Sequence, residues 1–263
     1  MAKIWIVDAF AKRPYTGNPA AVMLVEQFPT DAICQKIAAE MNLSETAFVK
    51  EIKEDHFHIR WFTPKVEVKL CGHATLASAH VLHEQNRVRG QQITFESLSG
   101  PLLVRSLKGS LTLDFPLQKT SPLDSLNIDM SLFEGIISWA KAYDDLIIEL
   151  ESERHVREFK PNFEEILKID CRGLIITARA CGEYDFVSRF FAPRVGVNED
   201  PVTGSAHCKL AHYWQSKLNK TIFKAYQASS RGGEIGLEIV GERVCLQGGA
   251  ITIVEGEWKV DLI

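Results

Sequence analysis

Four side chains of this chain are candidates for taking a proton from a substrate: Glu45, Cys71, His73 and Asp200. Glu45 lies at the join between a predicted helix and an apolar strand, where we expect a half-buried side chain. Partial burial favours the protonated form of a carboxyl group, which suits a general acid and base near neutral pH. Plainer interpretations stay open: Glu45 as an exposed loop residue, His73 as a helix cap, and Asp200, before Pro201, as a turn residue.

Two glycine-containing segments, Cys71–Thr75 and Thr203–His207, are each predicted to begin a helix. A helix start carries backbone N–H groups without helical partners and the positive end of the helix dipole. Gly72 and Gly204 would let an anion approach that backbone closely. If both starts converge, they would bind a substrate carboxylate and make its neighbouring C–H bond easier to ionise. Taken singly, each segment is better explained as a capped helix whose glycine serves packing, and it is the presence of two copies that favours a function.

The elements that would position these residues occur twice along the chain. The segment Arg60–Val68 returns as Arg189–Val197 with five identical residues in nine, and similar residues follow in both predicted helices. We therefore expect two copies of one fold, in domains 1–117 and 118–263, with the active site in the cleft between them. The predicted class is α+β, in which each domain is a sheet or half-barrel wrapped around a central helix.

The spacing of apolar residues indicates individual elements. Central helices are predicted from about His73 to Glu84 and over Gly204–Leu218, and a further helix over Ser131–Trp139. Strands are predicted at Lys3–Phe10 and Tyr143–Leu150, where β-branched and aromatic residues are frequent.

Composition excludes several functional classes. Of the 263 residues 46% are hydrophobic and 24% charged, with a net charge of -4, which is typical of a soluble globular protein. A basic block for nucleic acid is absent, as is an apolar run of about 18 residues for a membrane span. Six scattered cysteines without a CxxC pair, and no signal-peptide pattern, indicate reduced thiols in the cytoplasm.

Cofactor and metal signatures are also lacking in the sequence. There is no GxGxxG, no P-loop and no GxSxG elbow. His73, His80 and His83 fall on one predicted helix, but no acidic or cysteine partner has the spacing of metal ligands. We therefore predict neither a cofactor nor a bound metal.

Five blocks, in order along nearly the whole chain, resemble the PhzF-like phenazine-biosynthesis family, which has the diaminopimelate-epimerase type of fold. The blocks are Gly17–Val22, Ser44–Val49, Arg60–Pro64, Leu70–Thr75 and Asp200–Ala206. The resemblance implies a cofactor-independent isomerase that acts on a small carboxylate, and it implies a homodimer. It leaves the substrate open, so a role in making phenazines does not follow from it.

The resemblance also implies a role for individual residues. Glu45 would move a proton between carbons of the substrate, and the other catalytic candidates would bind substrate or shuttle protons. Backbone donors would come from the two helix-start glycines, and the 42–49 loop and Asn18 are expected to shape the pocket. The catalytic candidates are Glu45, His73, Asp200 and Ser205, and the substrate-binding candidates are Asn18, Ser44, Gly72 and Gly204.

One departure from the wider fold group concerns its cysteines. Epimerases and racemases of that group use a pair of cysteines, one from each half. Cys71 is present in the first half, but the aligned position in the second half is Asp200 or Thr203. A matched thiol pair is therefore not expected. Two alternative functions stay open: an amino-acid racemase or epimerase that uses Cys71, and a non-enzymatic ligand-binding or partner-binding protein on the same fold.

Overall fold

The computed structural model describes residues 2–107, 109–125 and 128–262. The chain divides into two compact units: one runs up to Asp114 and takes in the segment from Gln247 onwards, and the other spans Phe115–Leu246. Each unit is a β-sheet packed against helices, so the predicted α+β class is confirmed. No helix in the described ranges is long and apolar enough to cross a membrane.

The first unit contains eight strands and two helices from the N-terminal part of the chain and one strand from the C-terminal part. They are β1 (Ala2–Ala9), β2 (Asn18–Leu24), α1 (Asp31–Met41), β3 (Glu45–Lys53), β4 (His56–Phe62), β5 (Glu67–Val68), α2 (Gly72–Glu84), β6 (Gln92–Glu96), β7 (Leu102–Leu107), β8 (Ser110–Pro116, which reaches the boundary of the unit) and β18 (Ala250–Trp258).

Strand pairing in the first unit places two strand starts side by side. β1 is antiparallel to β2 and β18, β2 is parallel to β3, β3 is antiparallel to β4, and β4 is parallel to β6. In the β2–β3 pair Ala20 lies opposite Glu45. Because parallel strands begin at the same edge, the residues that start β2 and β3 are neighbours in space.

Helix α2 forms the core of the first unit. It packs against β1, β2, β3 and β18. Ala74, Ala77 and Ala79 are fully buried, and these small side chains let the sheet backbone approach the helix closely. Helix α1 packs against β3 and β4 and buries Cys34, Ile37 and Ala38.

The second unit contains the remaining elements. They are β9 (Ser121–Pro122), a 3-10 turn (Met130–Leu132), β10 (Ile136–Ala142), β11 (Asp145–Leu150), α3 (Glu153–Glu158), α4 (Phe163–Lys168), β12 (Gly173–Arg179), β13 (Phe186–Ala192), a second 3-10 turn (Pro193–Val195), β14 (Val197–Asp200), α5 (Gly204–Leu218), β15 (Ile222–Gln227), β16 (Gly233–Val240) and β17 (Arg243–Gly248).

The second unit follows the same order of strand pairing as the first. β10 is antiparallel to β11, β11 is parallel to β12, β12 is antiparallel to β13, and β13 is parallel to β15. Its central helix α5 follows β14, as α2 follows β5 in the first unit. In this unit the strands β11 and β12 start side by side, with Asp145 opposite Gly173.

Two predictions from the sequence differ from the structure. The helix predicted over Ser131–Trp139 is wrong, because Ile136–Ala142 forms a strand that pairs with Asp145–Leu150. The domain boundary also differs from the predicted 118–263. The C-terminal strand β18 pairs along the whole of β1, which places the last segment of the chain in the first unit.

Candidate functional site

Three candidate residues meet where β2, β3 and α2 begin. Asn18 is the first residue of β2, Glu45 is the first of β3, and His73 is the second of α2. Asn42 adopts a left-handed conformation (φ 49°) after α1, as Asn tolerates, and this turns the chain towards β3. Local turn chemistry and the parallel β2–β3 pair therefore bring these side chains to one edge of the sheet.

His73 is at the centre of this group. Its Nε2 lies 3.1 Å from Oε2 of Glu45. Its Nδ1 lies 3.2 Å from Nδ2 of Asn18 and 3.6 Å from Sγ of Cys71. The His73 side chain is 7% exposed, whereas that of Glu45 is 18% exposed. Glu45 is thus the member of the group that a molecule from solvent can reach.

The charges of the group follow from its burial. Burial raises the pKa of the Cys71 thiol to about 11, and the nearby Glu45 carboxylate adds to the effect. Burial alone would lower the pKa of His73, but its interactions with Cys71 and Glu45 outweigh burial and raise that pKa well above its ordinary value. Because the thiol stays protonated at neutral pH, Glu45 is the partner that keeps the imidazole charged. The raised pKa of His73 therefore favours a proton on its ring beside the Glu45 carboxylate, next to a neutral thiol.

Glu45, Cys71 and His73 also offer an oxygen, a sulfur and a nitrogen within 4.8 Å of one another, a set that could attract a metal ion. Both the Cys71 thiol and a protonated His73 ring would have to lose a proton before binding a metal ion, however, and the raised pKa values of both groups oppose this. The two ring nitrogens of His73 also face different partners, so one ion could not replace both contacts. The chemistry of the donor set fits proton handling better than metal binding.

The start of α2 has no side-chain cap. Cys71 occupies the N-cap position without a capping hydrogen bond, and the first turn contains no acidic residue. The first helical bond runs from the N–H of Thr75 to the carbonyl oxygen of Cys71, at 3.3 Å. The N–H groups of Gly72 and His73 precede that bond, and N–H groups in this position are where an anion binds a helix.

The start of α5 in the second unit is fixed by a buried amide. Gln227 is fully buried; its Oε1 accepts from the N–H of Thr203 at 2.9 Å, and its Nε2 donates to the carbonyl oxygen of Asp200 at 2.6 Å. The Thr203 hydroxyl donates to the Asp200 carboxylate rather than capping its own helix. The Asp200 carboxylate is therefore held in one position next to an uncapped helix start.

Ser205 touches a buried ionic cluster. Arg172 donates from Nη2 to the Ser205 hydroxyl at 3.4 Å and from Nε to Oδ1 of Asp145 at 2.9 Å. Lys209 donates to Asp144 at 2.7 Å and to Asp145. Lys209 and Asp145 are each only 1% exposed. The starts of β11, β12 and α5 thus carry paired charges.

The eight candidate residues fall into two groups, one in each unit. The first group lies around the start of α2 and the second around the start of α5: Asn18, Glu45, Gly72 and His73 in the first, and Asp200, Gly204 and Ser205 in the second. The eighth, Ser44, is half-buried beside Glu45, and its side chain makes no hydrogen bond within the described residues.

Sequence patterns missed two features of these groups. One is the contact of Arg172 with Ser205, and the other is the role of Gln227 in fixing the 200–203 segment. The available signal was Lys209, a charged residue on an otherwise buried face of α5, four positions after Ser205. A buried lysine needs a charged partner, so its presence indicates an acidic group nearby.

Comparison with known proteins gives consistent matches along nearly the whole chain. Residues 7–256 match the family described as phenazine biosynthesis-like protein (PhzC-PhzF). An uncharacterized isomerase of Pseudomonas aeruginosa is 48% identical over 256 residues, and the match covers 97% of each chain.

Solved structures extend the comparison to the fold. A crystal structure of a phenazine biosynthesis protein of the PhzF family from Enterococcus faecalis superposes with a TM-score of 0.94 at 40% identity, covering 98% of this chain and 99% of the other. A hydroxyproline epimerase from Agrobacterium vitis superposes with a TM-score of 0.64 at 11% identity, covering 97% and 91%. The second likeness concerns the fold alone, and it confirms the predicted epimerase-like architecture.

Proposed function

We propose that this chain moves a proton on a small carboxylate-bearing substrate, with Glu45 as general acid and base. The chain belongs to the phenazine biosynthesis-like family and is an isomerase. The observation that carries the proposal is the contact between the Glu45 carboxylate and His73 Nε2, 3.1 Å apart at the uncapped start of α2. A carboxylate, a proton donor and an anion-binding backbone are thereby gathered in one place.

Glu45 and His73 would divide the work of proton transfer. Glu45 is partly exposed and can meet a substrate C–H group, whereas His73 is enclosed behind it. A proton on His73 would stabilise the ionised carboxylate before it takes the substrate proton, and Nε2 lies 3.1 Å from Oε2. A general acid and base of this kind contributes about 10²–10⁴-fold to a rate.

The substrate carboxylate would be bound by a helix start. The first-turn N–H groups of α2, at Gly72 and His73, have no side-chain cap, and neither has the start of α5 at Gly204. The dipole of one helix stabilises a bound anion by about 0.3–1 kcal/mol when exposed, and by up to about 2 kcal/mol when partly buried. Negative charge that develops beside the carboxylate as the proton leaves would be stabilised in the same way.

Asp200 and Ser205 are proposed to take part in the same reaction. What supports this is their fixed geometry: Asp200 is held through Thr203 and Gln227, and Ser205 through Arg172. Groups whose orientation is set by neighbouring hydrogen bonds lose little freedom when a substrate binds. Gly204 would supply a backbone donor, and Ser44, which is half-buried beside Glu45, would contact substrate.

Racemisation by two thiols is the less favoured alternative. Burial keeps the pKa of Cys71 at about 11, so little of the thiolate needed for proton abstraction is present at neutral pH. Thr203 is the N-cap residue of α5, the position that Cys71 occupies in α2. A matching thiol is therefore missing from the second helix start, and an inversion that uses one base on each face of the carbon would lack its partner.

We also propose that the enzyme is a cytoplasmic homodimer that works without a cofactor. Cys34, Cys71, Cys171, Cys181 and Cys208 are free thiols, which suits a reducing compartment. The dimer follows only from the family resemblance, and sedimentation equilibrium would test it. Turnover that survives dialysis against a chelator would support cofactor-independent chemistry.

The experiment starts from exchange in heavy water. The enzyme is incubated in D₂O with a panel of small amino- and hydroxycarboxylates, and both deuterium incorporation and product formation are followed by NMR. A substrate found in this way is then tested with Glu45→Gln, with Cys71→Ala and with the matched control Glu51→Gln, an exposed residue of the same strand.

The proposal predicts that Glu45→Gln lowers turnover by about 10²–10⁴-fold, while the other two variants keep it. Full turnover in Glu45→Gln would exclude Glu45 as the acid and base. Loss of activity in Cys71→Ala with a folded protein would favour the thiol mechanism.

A further inference from the structure

Asn18 is completely buried, although the sequence predicts that it shapes the pocket. Its backbone pairs with Ala9 in the β1–β2 ladder, and its side chain contacts the ring of His73, which lies 55 positions further along the chain. The amide nitrogen lies 3.2 Å from Nδ1 of His73. A polar side chain enclosed in this way affects the reaction through the group that it contacts rather than through the substrate.

The contact matters because the two ring nitrogens of His73 face different partners. Nδ1 faces Asn18, and Nε2 faces Glu45. In a histidine, the hydrogen bond at one ring nitrogen decides whether the other nitrogen carries a proton. With the amide NH₂ group towards the ring, Nδ1 accepts a hydrogen bond. Nε2 then carries the single proton of the neutral imidazole, and this nitrogen lies 3.1 Å from Oε2 of Glu45.

An amide has a second way to satisfy the same nitrogen. Rotated by half a turn, Asn18 presents its oxygen, which accepts a hydrogen bond from Nδ1–H of the imidazolium. Both protonation states of His73 are then satisfied without water. An aspartate in this place could only accept, and a leucine of similar size could do neither.

We propose that Asn18 is a positioning residue that determines, through Nδ1 of His73, which proton His73 presents to Glu45. The inference rests on the proposed function of Glu45 as acid and base. Within the described residues, the titratable groups that face the His73 ring are Glu45 from β3 and the Cys71 thiol from the residue before α2. Asn18 is the neutral partner from β2, and unlike the thiol it can exchange a donor for an acceptor.

The test follows His73 directly rather than through turnover. The protein is labelled with ¹⁵N-histidine, the His73 resonances are assigned by their loss in His73→Gln, and the ring nitrogens are titrated. We expect the neutral form of the wild-type ring to carry its proton on Nε2. Asn18→Asp should raise the titration midpoint by about 1–3 pH units, because an opposite charge within about 4–6 Å favours the charged form. Asn18→Leu should lower the midpoint and mix the two neutral tautomers.

Thr120→Val is the matched control. The Thr120 hydroxyl lies 3.0 Å from Nδ1 of His212, so this variant changes the partner of another histidine. It should leave the His73 titration unchanged. The pH profile of turnover in Asn18→Asp should move in the same direction as the His73 midpoint, which loss of packing alone would not produce.

Two results would overturn the inference. One is a wild-type His73 whose neutral form carries its proton on Nδ1. The other is a His73 midpoint in Asn18→Asp that stays within about 0.2 units of wild type. Since aspartate has the shape of asparagine, that variant decides the matter even if Asn18→Leu does not fold. The NMR result is independent of Glu45 chemistry, so a shifted midpoint with full turnover in Glu45→Gln would sustain the Asn18 inference and refute the proposed function.

Discussion

Lys209 offers a quantitative test of how the second unit supports its helix start. Its side chain is buried within α5, and the ammonium group donates to Asp144 at 2.7 Å and to the buried carboxylate of Asp145. Lys209→Met keeps the length of the side chain and removes the charge. Arg172 would then be the remaining cationic partner of both carboxylates.

The expected loss of stability follows from what is left behind. Removing one partner of a buried ion pair costs about 3–5 kcal/mol, because the other charge stays buried without compensation. Asp145 keeps two hydrogen bonds from Arg172, so we expect a value near the lower end, about 3 kcal/mol. For a protein of this size that corresponds to a fall in Tm of about 6–12 °C.

The pH dependence of this effect has a definite sign. Burial alone would raise the pKa of Asp144, but the hydrogen bond from Lys209 and the charge of Arg172 lower it overall. A carboxylate with a lowered pKa contributes stability above its ordinary pKa, and this contribution is lost as the pH falls through the lowered value. The cost of Lys209→Met should therefore be larger at pH 7 than below about pH 4.

Urea unfolding followed by circular dichroism measures the free energy directly. The matched control is Lys3→Met, which breaks an exposed pair with Glu255 and should change stability by at most about 1 kcal/mol. Adding Asp145→Asn to Lys209→Met removes the uncompensated charge, so the double variant should be less destabilised than the sum of the single variants by about 1 kcal/mol or more. A loss below about 1 kcal/mol in Lys209→Met, equal to that of the control, would refute the assignment of this cluster as a buried structural network.

Three further predictions concern other parts of the chain. The pKa of His73 is raised in the folded protein. The stability that the charged ring contributes beside Glu45 is therefore fully present below about pH 6.5 and is lost as the pH rises through the raised pKa. Urea unfolding should show that Glu45→Gln costs more stability at pH 6 than at high pH. In native protein at pH 8, a thiol reagent should modify the exposed Cys181 first. Mass spectrometry should find three buried thiols of raised pKa, Cys34, Cys71 and Cys208, unmodified until urea unfolds the chain. Gly173→Ala would place a Cβ 2.4 Å from the Phe190 ring and should cost about 1–3 kcal/mol, whereas a variant that keeps wild-type stability would show that the ring yields freely.

Local patterns predicted the central helices well and the strand partners poorly. Helix α2 begins at Gly72, one residue before the predicted start, and α5 has its predicted bounds. Their small and apolar residues recur at helical spacing, which is a property of the segment itself. The strand Ile136–Ala142 was predicted as part of a helix, because its state depends on pairing with β11. The position of β18 beside β1 depends on a contact between the two ends of the chain, which no local pattern contains.

The residue types of the candidate site could be predicted from the sequence, but the contacts between them could not. The sequence indicated the residue types Glu45 and His73, but not that Nε2 of one would lie against the carboxylate of the other. Asn18 was predicted to shape the pocket, whereas its side chain is enclosed and contacts the His73 ring. Such partners are distant in the chain, so they emerge only from the parallel pairing of β2 with β3. The roles of the individual residues remain predictions.

Turnover of Glu45→Gln compared with Glu51→Gln decides whether Glu45 is the acid and base. Both changes remove one carboxylate from β3, but only Glu45 lies against His73. On a substrate identified by exchange in heavy water, we expect Glu45→Gln to lower kcat/KM by about 10²–10⁴-fold, while Glu51→Gln retains the wild-type value. Equal turnover in the two variants, with both proteins folded, would contradict it.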